Sequence, residues 1–280
     1  MPRNFVISFL SLATVACAWL LSPARAQTAP RTSQASKRPC GEVTVAAASD
    51  LTYAMNELAS SFEKETGCTV RVSTGSSGNF LTQIENGAPF DVFFSADIAY
   101  PKKLESEGLA APDSTYVYAI GKIVLWTRKD SKLDIAKGLA ALTDSSVKKI
   151  SIANPAHAPY GRAAEEALRK SGVYDGVKDR LVLGENISQA AQFVESGNAD
   201  AGVIALSLVA SPAMKDEGRY EPISENLYTP IEQGAVVTRT APNPRAARMF
   251  LDYLRTPAMA AVLERFGFTL PRKQFAGGNP

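Results

Sequence analysis

From Val43 onward, short apolar runs alternate with stretches whose apolar residues recur at helical spacing. Residues 43–48 are apolar except for Thr44, which predicts a buried strand. Leu51, Ala54, Met55, Leu58 and Phe62 follow on one helical stripe, and Gly67 stops it. A second strand is predicted at 69–74. Gly75-Ser76-Ser77-Gly78 then leads into a helix that turns Phe80, Leu81 and Ile84 inward. A third buried strand covers 91–95, and a short helix covers 99–107 and ends at Gly108.

Two strand-like runs, 117–120 and 123–126, surround Gly121-Lys122 and predict a passage into a second lobe, where the pattern restarts. Strands are predicted at 149–153, 180–183 and 201–205, with helices at 162–171 and 189–196. The run Asn154 to Gly161 reads as a loop. A strand near 233–238 returns to the first lobe, and helices at 244–254 and 257–266 complete it. Strands alternating with helices predict an α/β protein with a doubly wound, mainly parallel sheet in each lobe. Lobe I is expected at 41–121 plus 235–275 and lobe II at 122–234. Two passages between lobes make a hinge, and a hinge makes a cleft.

The first residues change the picture of where the protein works. Arg3 precedes an apolar stretch from Phe5 to Leu21, and Ala24-Arg25-Ala26 is a small-x-small cleavage pattern. Residues 1–26 therefore read as a signal peptide cleaved after Ala26, and 27–40 as a polar, flexible leader. Export is expected to put the protein in the periplasm. Cys17 lies in a poor lipobox, so a lipid anchor is not expected. An oxidising compartment suits a disulfide. Cys40 and Cys68 each sit just before a predicted strand, at one edge of the sheet if those strands are parallel neighbours, so a Cys40–Cys68 bridge is expected.

Charge excludes some partners. The chain of 280 residues carries 30 Lys and Arg against 28 Asp and Glu, and losing Arg3 and Arg25 leaves 28 against 28. A neutral chain without a basic run argues against nucleic acid and anionic membranes. One histidine, His157, and three cysteines leave no material for a His/Cys metal cluster. His157 has no motif partner for a catalytic triad, and neither a Walker-type loop nor a dinucleotide fingerprint is present. No catalytic residue and no cofactor are expected.

Four strand-to-helix loops remain: Ser49-Asp50, Ser76-Ser77-Gly78, Pro159-Tyr160-Gly161 and Asn186-Ile187-Ser188, two in each lobe. Ligands of open α/β sheets bind beyond the carboxyl ends of the strands, where helix N-termini present unpaired amides. Four such ends facing one cleft suit an anion held by dipoles and hydrogen bonds. The alternative for each loop is an ordinary capped helix start. Arg162, the one cation within two positions of these loops, is expected on the solvated face of its helix.

The runs Thr74-Gly75-Ser76-Ser77-Gly78, Gln83-Ile84-Glu85-Asn86-Gly87-Ala88-Pro89 and Val92-Phe93-Phe94-Ser95-Ala96-Asp97 resemble the periplasmic molybdate-binding proteins of ABC importers. So do Tyr118 to Lys122 with Leu125-Trp126, and Asn154-Pro155 with Ala158 to Gly161. The resemblance implies a two-lobed type II periplasmic-binding-protein fold, molybdate or tungstate as ligand, and a membrane permease as partner of a monomer. It places the site on Ser49 and Ser77, through hydroxyl and amide, and on Tyr160 and Ile187, through the amide alone. Asp50 matches a position that donates through its amide in some members. Its carboxylate is expected to cap its helix rather than take a proton from the ligand. Where some members carry a tyrosine donor this sequence has Ala205. A binder of sulfate or phosphate, or a secreted enzyme on the same fold, are the competing readings.

Overall fold

The computed structural model describes residues 40–271, which lie within one compact unit, Arg38–Pro280. The expected signal segment, its cleavage point and the leader up to residue 39 lie outside the described residues. The chain runs through β1 (Glu42–Ala48), a 3-10 turn at Ser49–Leu51, α1 (Thr52–Thr66), β2 (Thr69–Gly75), α2 (Ser77–Glu85), β3 (Val92–Ser95), α3 (Ala99–Ser106) and β4 (Tyr116–Gly121). It then enters a second sheet through β5 (Ile123–Arg128). A kinked 3-10 segment (Ile135–Thr143) leads to β6 (Ile150–Ala153), α4 (Pro159–Lys170), α5 (Tyr174–Val177), β7 (Leu181–Gly184), α6 (Ile187–Glu195), β8 (Ala201–Ala205), α7 (Leu206–Val209) and β9 (Gly218–Pro222). It returns along β10 (Ile231–Val237) and closes with α8 (Pro244–Tyr253) and α9 (Pro257–Arg265).

The first sheet has the order β2-β1-β3-β10-β4 and the second β7-β6-β8-β5-β9. Both are mixed. β1 is parallel to β2 and β3, but β10 is antiparallel to β3 and β4. Likewise β6 is parallel to β7 and β8, but β5 is antiparallel to β8 and β9. The reversal has a simple cause. β5 and β10 each enter their sheet from the other lobe, so they start at the cleft, where the parallel strands end. The crossing sets their direction, whereas a helical crossover sets that of the others. The crossings meet at the hinge, where Gly121 at the end of β4 pairs with Ile231 at the start of β10. The 234/235 boundary drawn from the sequence falls inside β10, because Glu232 and Gln233 hide the first half of that strand from an apolar pattern.

Apolar burial holds each lobe. On α1, Met55, Leu58 and Phe62 are almost wholly buried, and the Phe62 ring meets Phe250 of α8 edge-on at 5.0 Å between centroids. The second core gathers Trp126, Leu125, Ile152, Leu168 and Val203 between β5, β6, β8 and α4. Cys40 and Cys68 are bridged, with their Cα atoms 4.6 Å apart. The pairing of Glu42 with Thr69 brings the two cysteines to one sheet edge. Two helices start earlier than their apolar stripes suggest. Helix α4 begins at Pro159, where proline's missing N–H costs nothing, and α6 begins at Ile187 behind an Asn186 cap that accepts from the Gln189 amide. Residues read as loop are therefore first turns, with amides aimed out of the helix.

Candidate functional site

Each lobe delivers its parallel strands to the cleft by their carboxyl ends, and the four loops follow there. The first differs from expectation. Ser49–Leu51 forms a 3-10 turn, and α1 behind it has no side-chain cap. Neither Ser49 nor Asp50 is spent on capping, because the turn carries the chain into α1 by itself, with the Thr52 hydroxyl donating back to the Ser49 carbonyl at 2.7 Å. Both side chains are thereby turned inward, with relative exposures of 3% and 1%.

Ser49, Asp50, Ser77, Tyr160 and Ile187 all line one cavity between the lobes, together with Ser76, Ala96, Pro159 and Asn186. Its volume is about 10 Å³, room for roughly one water-sized sphere. Among the described residues, no lysine, arginine or histidine lines it. The amides of Ser77, Tyr160 and Ile187 sit in first helical turns, where no intrahelical acceptor exists. The two serines are set alike. Ser77 Oγ accepts from the Ala96 amide at 3.0 Å, and Ser49 Oγ accepts from the Ser188 amide of the other lobe at 3.3 Å. Each oxygen is pinned by a backbone donor, which leaves the hydroxyl proton for the cavity. The arrangement is one of neutral donors and helix dipoles. Ala205 at the end of β8 is not among the lining residues.

The Asp50 carboxylate belongs to a buried polar cluster beneath the hinge. Its Oδ2 accepts from the Tyr160 hydroxyl at 3.0 Å and from Gln233 Nε2 at 2.6 Å. Gln233 Nε2 also donates to the Tyr160 oxygen at 2.8 Å, and Gln233 Oε1 accepts from the Tyr118 hydroxyl at 2.6 Å. Asp50 Oδ1 is buried without a hydrogen-bond partner. Burial pushes the Asp50 carboxyl up to about 7, against the Gln233 and Tyr160 hydrogen bonds that pull it down. Burial, followed by the Asp50 charge, raises the Tyr118 and Tyr160 hydroxyls well above the usual phenol range, so both stay donors. Sequence reasoning missed this cluster. Its one signal was Gln233, which follows Glu232 in a strand whose other residues are apolar or glycine.

Polar clasps flank the cavity. Arg162 does not face solvent alone: its guanidinium reaches across the cleft to Asp97 Oδ2 at 2.5 Å and to the Tyr100 hydroxyl at 3.0 Å. Helix α4 starts three residues before the predicted one, which brings Arg162 against α3. It lines a larger groove of about 410 Å³ beside the cavity, with Asp97, Glu166 and Glu232. The helix ends meet in the smaller cavity. His157 also has partners that no sequence motif marks. Its Nδ1 lies 2.9 Å from Ser76 Oγ and its Nε2 lies 3.6 Å from Glu185 Oε2. This is not a nucleophile with its base. The Ser76 hydroxyl donates to the His157 carbonyl at 2.6 Å, so its oxygen accepts from Nδ1–H rather than giving up a proton. The Glu185 contact is beyond hydrogen-bond range. The group joins the lobes, aided by the Gly78 amide on the same carbonyl at 3.0 Å. A Cβ on Gly78 would lie 2.7 Å from that carbonyl.

Paired α/β lobes, two hinge crossings and a cavity walled by opposed helix ends make this a two-lobed periplasmic-binding-protein fold. The chain belongs to the bacterial extracellular solute-binding protein family, which it matches over residues 43–269. It is 42% identical to the molybdate-binding protein ModA of Rhodobacter capsulatus over 81% of this chain and 88% of that protein. It is 43% identical to ModA of Azotobacter vinelandii over 82% and 90%. The solved structure of the Azotobacter vinelandii periplasmic molybdate-binding protein superposes with a TM-score of 0.78 at 37% identity, covering 82% of this chain and all of that one.

Proposed function

We propose that this chain is the substrate-binding component of an ABC-type importer, which captures molybdate or tungstate between its lobes and presents it to a membrane permease. The convergence of Ser49, Ser77, Tyr160 and Ile187 on one cavity without a cationic side chain carries the reading. The names of relatives sharing more than two-fifths of their residues support the choice of ion. A dianion entering the cleft trades its water shell for amides and hydroxyls from both lobes. Hydrogen bonds to an ionised acceptor are about twice as strong as neutral ones, so several suffice without a salt bridge. Because donors come from both lobes, the bound ion favours closure. The protein acts as a monomer in the periplasm after cleavage behind Ala26, with no cofactor and no catalytic step.

One observation favours a second reading. Hydrogen phosphate brings a proton that needs an acceptor, and Asp50 Oδ1 is a buried acceptor without a partner. Molybdate, tungstate and sulfate need only donors. Calorimetric titration with molybdate, tungstate, sulfate and phosphate separates these cases. Submicromolar binding of the first two alone, more than ~8.2 kcal/mol, is the expected result. Heat from phosphate alone selects the second reading, and heat from none of the four removes the proposal.

A further inference from the structure

Tyr160 presents its two polar ends to different tasks. Its amide opens α4 at the cavity, while its hydroxyl lies 2.1 Å from where a Cβ on Gly121 would sit, directly under the hinge. Tyr160 comes from lobe II; Asp50, Gln233 and Tyr118 come from lobe I. The hydroxyl is therefore a cross-lobe tie, and one whose partners are all buried. Several other ties across the cleft, such as Arg162 to Asp97 and Asn79 to Glu185, involve part-exposed groups that water can satisfy on opening, whereas the Ser207 hydroxyl, which donates to the Asp50 carbonyl at 2.8 Å, is a second buried tie beside that of Tyr160. The part-exposed bonds contribute little net bias. Breaking the Tyr160 tie takes one donor from a buried carboxylate that already has an unpaired oxygen.

We propose that the Tyr160 hydroxyl, held by Asp50 and Gln233 beneath Gly121, is the latch that biases the lobes towards closure and holds the Tyr160 amide on the cavity, making its side chain affinity-determining although it donates nothing to the anion. The proposal rests on the oxyanion-capture reading for its affinity readout, but not for its shape readout. Apparent affinity scales with the fraction of molecules in the competent conformation, so a weaker latch weakens binding without touching a ligand contact. Tyr160 is a positioning residue in this role.

The test uses the mature protein with Tyr160→Phe, Gln233→Met and the double variant. Stopped-flow tryptophan fluorescence with sodium molybdate gives the rates, and small-angle X-ray scattering gives the shape with and without the ion. Tyr160→Phe is expected to raise the molybdate Kd about tenfold, almost wholly through faster release. The radius of gyration should be larger in the free variant and unchanged in the bound one. The double variant should lose less than the sum of the single losses, since Gln233→Met removes one of the two partners that hold the Tyr160 hydroxyl. Wild-type Kd and release rate in Tyr160→Phe, or a free form as compact as wild type, overturn the latch, as do additive losses. If Tyr160→Phe does not fold, Gln233→Met is read against the same outcomes. A wild-type protein that binds neither molybdate nor tungstate defeats the function instead, and the scattering of the free proteins still decides the latch.

Discussion

The Tyr160 hydroxyl donates to Asp50 Oδ2 at 3.0 Å, tying the first turn of α4 to the turn that follows β1. Both groups are out of water. Replacing Tyr160 with Phe leaves that oxygen with Gln233 alone, in a place where hydration cannot compensate. The expected loss of folding stability is roughly 1–3 kcal/mol, the usual cost of an unpaired buried polar group. Urea unfolding should show a lower midpoint with an unchanged slope. A role for the amide alone would make this substitution silent.

Ser77→Ala should weaken molybdate binding by roughly 1–3 kcal/mol, because a donor is lost from a buried anion. The structure adds a second consequence. Ser77 Oγ accepts from the Ala96 amide, so alanine also leaves that amide unpaired. A parallel calorimetric and thermal measurement should find both affinity and stability reduced. Undiminished molybdate affinity would remove Ser77 from the site.

These two residues show what could be read from the chain. The strand-to-helix loops were legible because their signals are local: an apolar run, small polar residues, then a helical stripe. The loops that carry Ser77 and Tyr160 follow from that pattern, and the roles of the Ser77 hydroxyl and the Tyr160 amide from the family resemblance. The Tyr160 hydroxyl does not, since its partners lie 110 and 73 residues away on the first lobe. Asp50 was misread for a related reason. An aspartate before a helix reads as a cap, and only the long-range pairing to Gln233 reveals a buried carboxylate. The antiparallel course of β5 and β10 was equally hidden, because apolar runs do not encode direction.

Gly121→Ala should be more disruptive than its size suggests. The added Cβ would lie 2.1 Å from the Tyr160 oxygen and 2.8 Å from Gln233 Nε2. Both neighbours are held by the Asp50 network and cannot swing aside without breaking it. The closed arrangement is expected to lose population, seen as weaker molybdate binding and a larger radius of gyration in the free protein. An alanine variant that matches wild type in both would show that the hinge has more room than the structure gives it.

Reduction of the Cys40–Cys68 bridge should lower stability by roughly 3–4 kcal/mol, the loop-closure value for a span of 28 residues. The bridge lies at the far end of β1 from the cavity. Molybdate affinity measured at a temperature where the reduced protein stays folded should therefore be unchanged. A reduced protein that melts at the same temperature as the oxidised one would contradict the pairing.

Asp50 gives folding a pH dependence of unusual sign for a carboxylate. Its pKa rises from the ordinary 3.8 to about 7 in the folded state, first through burial. Between those values the native protein holds a proton that the unfolded chain has released. The stability from this group is thus complete below about 4 and is lost as pH rises through 7. Paired acids such as Glu166, whose pKa is lowered first by its bond to Lys170, work in the opposite direction and mask the trend in the wild type. Comparison with Asp50→Asn isolates it. Asparagine keeps an oxygen for Tyr160 and Gln233 but cannot ionise, and the other acids cancel in the difference. Chemical denaturation of both proteins from about pH 5 to about pH 8 should show the wild type losing ground steadily against the variant up to about 7 and levelling off above it. A difference that stays flat across that range would mean that the Asp50 carboxyl titrates normally, and so that it is not sealed beneath the hinge.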